Sequence, residues 1–325
     1  NIAVDTCSEQ NIVVFNSPGA NANAVKELVL AGMLIAARNI LPGLEFVNSI
    51  NGNGDVASLV EKQKKEFTGY ELMGKKMGVI GLGAIGVQVA NSAANLGLEV
   101  TGYDPFISVD RAWGLSRSVQ PETNIRSLLK NSDFISLHMP LTKGTRDFIH
   151  QDNLSMMKKG GVLLNFSRSE IVNQEAILEA LSKEQIALYV TDFPTRELLS
   201  QDRALCIPHL GASTKEAEVN CAIMVAKQIK DYLMNGNIKN SVNFPDCYLE
   251  RAGKYRLIIA TDNIPNMVGQ ISSAIANHEL NIVEMINKSR DQIAYNIIDL
   301  DGAEITGLKD EIQAIDGVKF TRLIQ

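Results

Sequence analysis

Little in the chain places it outside ordinary globular classes. Cysteine is sparse: Cys7, Cys206, Cys221 and Cys247 among 325 residues. None forms a C-x-x-C pair, which argues against both a zinc site and a disulfide framework and points to a reducing cytoplasm. The four histidines, His138, His150, His209 and His278, include no pair at metal-ligand spacing, so no metal is expected. The apolar run 28–37 (LVLAGMLIAA) is about ten residues long, half of what a bilayer needs, and reads as a buried core helix. There is no excess of basic residues. A net charge of −6 gives no footprint for nucleic acid or an acidic membrane. Tryptophan occurs once, at Trp113, and reads as a packing residue. No secretory leader pattern, internal repeat or low-complexity tract is seen.

Glycine at fixed spacing is what stands out. The stretch 77–86 reads MGVIGLGAIG. An apolar run meets Gly81-x-Gly83-x-x-Gly86, then an amphipathic stretch over 87–96, then a second apolar run that ends at Asp104. Strand, glycine turn, helix, strand and acid, in that order, describe a dinucleotide site. Gly81 makes the turn, Gly83 lets backbone approach a pyrophosphate, and Gly86 lets the helix pack on the strand. The helix start offers free N–H groups to phosphate. Asp104 lies eighteen residues past Gly86, where a carboxylate can hold a ribose hydroxyl.

Around that motif, strands are predicted near 77–81, 98–103, 133–138, 162–166, 186–191 and 204–207. Helices are predicted near 24–38, 84–96, 123–131, 151–158 and 173–183. This alternation builds a doubly wound parallel sheet of the α/β class, with ligands at the carboxyl ends of its strands. Residues 11–16 (NIVVFN) read as a buried strand and 51–55 (NGNGD) as a polar loop. A long helix opens at Ser213 with the capping box Ser213-x-x-Glu216 and stops at Gly236. Residues 254–325 then follow a βαββαβ order, the ferredoxin-like plan, whose small sheet is expected to leave a bare face or edge for a partner.

Three polar residues fall at strand ends: Arg168 in NFSRSE, Glu197 in DFPTRE and His209 in IPHLGAST. A guanidinium can grip a carboxylate in a bidentate fork, an imidazole can take a hydroxyl proton, and a carboxylate can orient and charge the imidazole. The trio suits oxidation of a 2-hydroxy acid. His138 ends a strand and is expected to shape the cofactor site. His150 and His278 read as helix-boundary residues.

GLGAIG, YDP, SLHMPLT, NFSRSEIVN and PHLGAST, in this order, resemble the NAD-dependent D-2-hydroxyacid dehydrogenases. The C-terminal part resembles an ACT module. The resemblance implies Arg168 as substrate arginine, Glu197 as carboxylate partner and His209 as acid/base. It implies Ala84 and Ile85 over the pyrophosphate and Asp104 on the ribose. Met139, Phe166, Ser167 and Asp192 would lie around the nicotinamide, beside His138 and Pro140, with Gly211 and Ala212 closing the pocket. Asp104 favours NAD over a 2′-phosphorylated cofactor by charge. The implied domains are a substrate-domain remnant over 1–17 with helix 213–236 packing back toward it, a dinucleotide-binding domain over 18–212 and an ACT domain over 250–325. The implied substrate is a phosphorylated 2-hydroxy acid, whose phosphate ligands belong to a preceding substrate-domain segment. Thr261, Asn263 and Asn281 match effector positions, with L-serine as implied effector between paired modules. The family also implies a homodimer through the 24–38 helix region, or a tetramer through ACT pairing. Ser169 stands where the family has glycine, Glu197 lacks its usual following proline, and Asn266 replaces a turn glycine. Two other readings fit the same residues: a glyoxylate or hydroxypyruvate reductase, and an NAD-binding regulator without turnover.

Overall fold

The computed structural model describes residues 2–52 and 54–325. Asn1, in the expected first segment, and Asn53, in the expected 51–55 loop, lie outside them. The chain divides into two compact units, Asn21–Glu218 and a second built from Asn1–Ala20 with Val219–Gln325.

The helices in chain order are α1 (Val4–Glu9), α2 (Ala22–Arg38), α3 (Ile40–Ser49), α4 (Val56–Gln63), α5 (Ala84–Asn95), α6 (Val109–Trp113), α7 (Ile125–Asn131), α8 (Gln151–Met156), α9 (Gln174–Ser182), α10 (Lys215–Asn235), α11 (Met267–Asn277) and α12 (Leu308–Gln313). The strands of the first unit are β1 (Lys76–Ile80), β2 (Glu99–Tyr103), β3 (Gln120–Pro121), β4 (Phe134–Leu137), β5 (Gly161–Asn165), β6 (Ile186–Thr191) and β7 (Ala204–Cys206). They form one parallel sheet in the order β3-β2-β1-β4-β5-β6-β7. Strands β4 and β5 are buried at every position, as apolar runs covered on both faces must be. One layer packs α2 and α5 on the sheet through Val29, Met33, Val89 and Ala90. The other packs α7, α8 and α9 through Leu128, Leu154 and Ile177. The order reverses between β1 and β4, the crevice where such sheets bind ligands.

In the second unit, β8 (Tyr255–Asp262), β9 (Asn281–Arg290), β10 (Ile293–Asp301) and β11 (Val318–Ile324) form an antiparallel sheet in the order β11-β8-β10-β9. Helices α11 and α12 cover one face through Ile271, Ile275, Leu308 and Ile312. Of the expected bare face or edge, the edge is found, at the largely exposed outer strand β9, while the other face is covered. Ile258, Tyr295 and Ile297 on it are buried by Ile238, Phe244 and Cys247 of the segment after α10, with Val13 and Phe15 against them. Three side chains of the sheet also cap the end of α10. Tyr295 Oη donates to Gly236 O at 2.7 Å, Arg256 Nη1 donates to Asn235 O at 3.1 Å, and Arg322 Nη2 donates to Tyr232 O. Gly236 is at φ +73°, and a Cβ there would sit 2.2 Å from Ile258 Cδ1. Arg256 and Asp299 form a two-pronged ion pair at 2.6 and 2.7 Å with both side chains fully buried.

Three local expectations are corrected, and two helices are added. The 11–16 strand is only a bridge, Phe15 to Ser241, because a lone segment finds no neighbouring strand to continue the ladder. The cap of α10 is Thr214, whose Oγ1 accepts the Ala217 N–H at 3.1 Å, not Ser213. Helices α3 and α4 flank the polar 51–55 region and were not predicted. Trp113 is 84% exposed, since the single-turn helix α6 buries none of its residues.

Candidate functional site

The glycine turn has the geometry its spacing demands. Gly81, at the end of β1, has φ +91°, and a Cβ there would lie 2.7 Å from the His138 backbone. A Cβ on Gly86 would lie 1.9 Å from Gly81 O, so α5 rests directly on the turn. Gly83 caps α5 without a side-chain bond and faces open space: nothing lies within 4 Å of a Cβ built on it. The first-turn N–H groups of α5, including those of Ala84 and Ile85, therefore have no side-chain cap and suit an anion. Asp104 Oδ2 accepts the Leu82 N–H and Oδ1 the Phe106 N–H, both at 2.8 Å. Two backbone amides thus fix the carboxylate beside the turn.

A cavity of about 650 Å³ opens there, lined by Gly81, Gly83 and Asp104 on one side and His138, Met139 and Pro140 on the other. Tyr103, Phe106, Thr142 and Thr145 also line it, and sequence reasoning missed them. Phe106 had a signal, lying two residues past Asp104. Thr145 closes a turn by donating to Pro140 O at 2.6 Å, a tertiary fact with no sequence mark. His138 Nε2 lies 2.8 Å from Ser136 Oγ, and Nδ1 has no partner. Desolvation pulls this imidazole down to about 3, so it is neutral at working pH.

The second cluster sits where β5, β6 and β7 end. Asp192 is 1% exposed; Oδ2 accepts the Gly211 N–H at 3.2 Å while Oδ1 has no partner. Burial raises its carboxyl above the ordinary range, against the Gly211 bond and the opposing charges of His209 and Arg168. His209 is exposed, its ring edge-on to Phe193 at 4.9 Å. Arg168 follows β5, with Nη1 donating to Ser167 O at 2.6 Å. Ser167 Oγ donates to Leu137 O at 2.5 Å and ties this loop to the end of β4.

Two expected residues sit differently. Glu197 is exposed and accepts from Gln174 Nε2 at 3.0 Å; among the described residues it makes no ion pair with His209. Phe166 is 5% exposed, its ring packed near Gly32 of α2, so it can offer a ligand little beyond its backbone. Ala212 is exposed beyond Gly211. In the second unit Thr261 is fully buried, its Oγ1 donating to Asp262 O at 3.0 Å. Asn263 donates to Asp291 O at 3.0 Å, at the β9–β10 turn. Asn281 begins β9 at the other end of the strand, opposite Asp301.

The residues present fit a nicotinamide dinucleotide at both ends. Uncapped amides and open space could take the phosphates, Asp104 could accept from the ribose, and the unpartnered Asp192 Oδ1 could accept from a carboxamide.

A parallel sheet of this order with a glycine turn at its switch point defines a nucleotide-dependent dehydrogenase fold. Residues 30–211 match the family model described as D-isomer specific 2-hydroxyacid dehydrogenase, NAD binding domain. The chain belongs to that family and carries its NAD-binding domain. It is 36% identical to the D-3-phosphoglycerate dehydrogenase of Methanocaldococcus jannaschii, over 88% of this chain and 53% of that protein. It is 30% identical to that of Escherichia coli K12, over 99% of this chain and 78% of that protein. The D-3-phosphoglycerate dehydrogenase of Synechocystis is 34% identical, with 84% of this chain and 48% of that protein covered. The chain thus spans about half the length of the Methanocaldococcus and Synechocystis relatives. The NAD+-bound 3-phosphoglycerate dehydrogenase of Entamoeba histolytica superposes with a TM-score of 0.58 at 30% identity, covering 74% of this chain and 71% of that one. No helix of the described residues is long and apolar enough to cross a membrane.

Proposed function

We propose that the chain oxidises 3-phospho-D-glycerate to 3-phosphohydroxypyruvate, the entry step of L-serine synthesis, in a protein whose substrate-domain segment supplies the phosphate ligands. The observation that carries this reading is Asp192, a buried carboxylate at the end of β6 whose Oδ2 takes the Gly211 amide of the loop that carries His209. NAD would be held by the Gly81–Gly86 turn, Asp104 and Asp192, and would supply the hydride acceptor for C2 of the substrate. Arg168 holds the substrate carboxylate: with Nη1 on Ser167 O, the rest of its fork is available. A ring nitrogen of His209 takes the C2 hydroxyl proton. Glu197, once it leaves Gln174, can accept a hydrogen bond from the His209 ring and orient it.

Turnover is tested in the full-length protein with NAD and a panel of 2-hydroxy acids. Activity with 3-phospho-D-glycerate, lost in His209→Ala, is the expected result. Activity confined to glyoxylate or hydroxypyruvate makes it a reductase, and NADH binding without turnover makes it a regulator. Glu197→Gln should lower kcat about tenfold and leave NADH affinity unchanged. An unchanged kcat removes Glu197 from the mechanism.

The four-stranded module serves as an ACT sensor for L-serine, formed between two copies. Its register supports this. Asn263 lies level with the end of β9 and Asn281 at its start, eight strand positions away along β10. That is about 27 Å along the strand, too far for one pocket in one copy. Pairing two β9 edges about a two-fold axis would bring Asn281 of one copy to Asn263 of the other. A second contact between copies lies on α3, an apolar helix with no buried residue, with Ile40, Leu44 and Val47 about half exposed.

A further inference from the structure

Asn165 ends β5, where four positions before it are buried and three of them carry apolar side chains. It is itself fully buried. An amide in such a place is unfavourable unless its bonds are made. Here they are made to the turn that carries Arg168 and to the neighbouring strand β6. Oδ1 accepts the Ser167 N–H at 3.2 Å, and Nδ2 donates to Arg168 O at 2.9 Å and to Tyr189 Oη at 3.2 Å. Tyr189 stands on the neighbouring strand β6, 3% exposed, its phenol pushed up by burial. The side chain of Asn165 thus replaces the sheet neighbour that the chain loses on leaving β5. The Arg168 guanidinium is pinned to the same turn through Ser167 O.

We infer that Asn165, steadied by Tyr189, is a positioning residue that sets the Arg168 fork for the substrate carboxylate. The inference rests on the substrate role proposed for Arg168. It makes the arginine's aim depend on a hydrogen-bonded brace that spans β5 and β6, and it assigns Tyr189 a task beyond core packing.

Titrating 3-phospho-D-glycerate into the NADH complex of the full-length protein reads substrate binding without turnover, since both partners are reduced. Asn165→Ala should weaken that titration about tenfold, while NADH affinity changes by less than about twofold. Tyr189→Phe, which removes one hydroxyl, should weaken it about threefold. If Asn165→Ala does not fold, Tyr189→Phe decides alone. Unchanged 3-phospho-D-glycerate binding in the folded variants, or an equal loss of NADH and substrate, overturns the inference. An Arg168→Ala arm separates it from its parent. Weak binding in Arg168→Ala with normal binding in Asn165→Ala sinks the inference only. Normal binding in Arg168→Ala sinks the role of Arg168 and the inference together.

Discussion

Asp192 takes the Gly211 amide on one carboxylate oxygen at 3.2 Å and leaves the other without a partner in a nearly closed site. This joint links the end of β6 to the loop that carries His209. A carboxylate kept charged there costs stability, and the missing partner is what a bound carboxamide would supply.

Its titration is therefore readable. Burial raises the folded-state pKa of Asp192 above its unfolded value. Between the two values the native state holds more protons, so stability falls as pH rises from the ordinary carboxylate range through the raised one. Asp192→Asn removes that slope and keeps an acceptor for Gly211. Above the window the variant should melt a few degrees higher than wild type, about 2–4 °C. It should also bind NADH about tenfold more weakly. Thermal scans across the acid-to-neutral range with NADH fluorescence titrations check both; a variant that melts lower at neutral pH contradicts the argument.

Gly83 and Gly86 should separate binding from folding. A Cβ on Gly83 meets open space, so Gly83→Ala should leave the melting temperature within about 1 °C and weaken NADH by crowding the approach. A Cβ on Gly86 meets Gly81 O at 1.9 Å, so Gly86→Ala must shift α5 and lose both stability and cofactor. Calorimetry and fluorescence titration of the two variants make the comparison. Equal melting losses would show that Gly83 is also packed.

Asn263 and Asn281 give a complementation test. If the effector site joins Asn263 of one copy to Asn281 of another, Asn263→Ala and Asn281→Ala proteins should each bind no L-serine. A hybrid of the two should regain one intact site per pair. Isothermal titration of refolded mixtures counts the sites. No recovery in a verified hybrid would reject a shared pocket.

The buried Arg256–Asp299 pair predicts an asymmetric mutational response. Asp299→Leu alone strands a guanidinium at zero exposure and should cost about 3–5 kcal/mol. Arg256→Met with Asp299→Leu should recover most of that loss. Urea melts of the single and double variants measure the coupling. A double variant no better than the single would assign the cost to the bonds Arg256 makes to Asn235 O and Leu249 O instead.

The parallel sheet was legible because its buried strands are short apolar runs and its glycine turn has one physical use. The order of elements in 254–325 was legible for the same reason, through alternation. Helix α3 was not: ILPGLEFVNS carries Pro42 and Gly43, which read as breakers, yet Pro42 falls in the first turn, where its missing N–H breaks no bond. At the site, Arg168 and His209 were legible because strand ends are counted along the chain, and Asp192 only through the resemblance to the family. The Glu197–Gln174 bond, the Asn165–Tyr189 brace and the Thr145 turn depend on which distant segments become neighbours, and no local pattern encodes that. The covered face of the second sheet belongs with them. The linker between α10 and β8 has no helix or strand of its own, and only the fold shows Phe244 and Cys247 acting as core.

That linker has a mechanical consequence. With Tyr295, Arg256 and Arg322 holding the final carbonyls of α10, and Gly236 seated against Ile258, the far half of the helix and the four-stranded sheet make a single lever. Hydrogen exchange at the last turns of α10 should then keep pace with the centre of β8 and not with an unstructured tether.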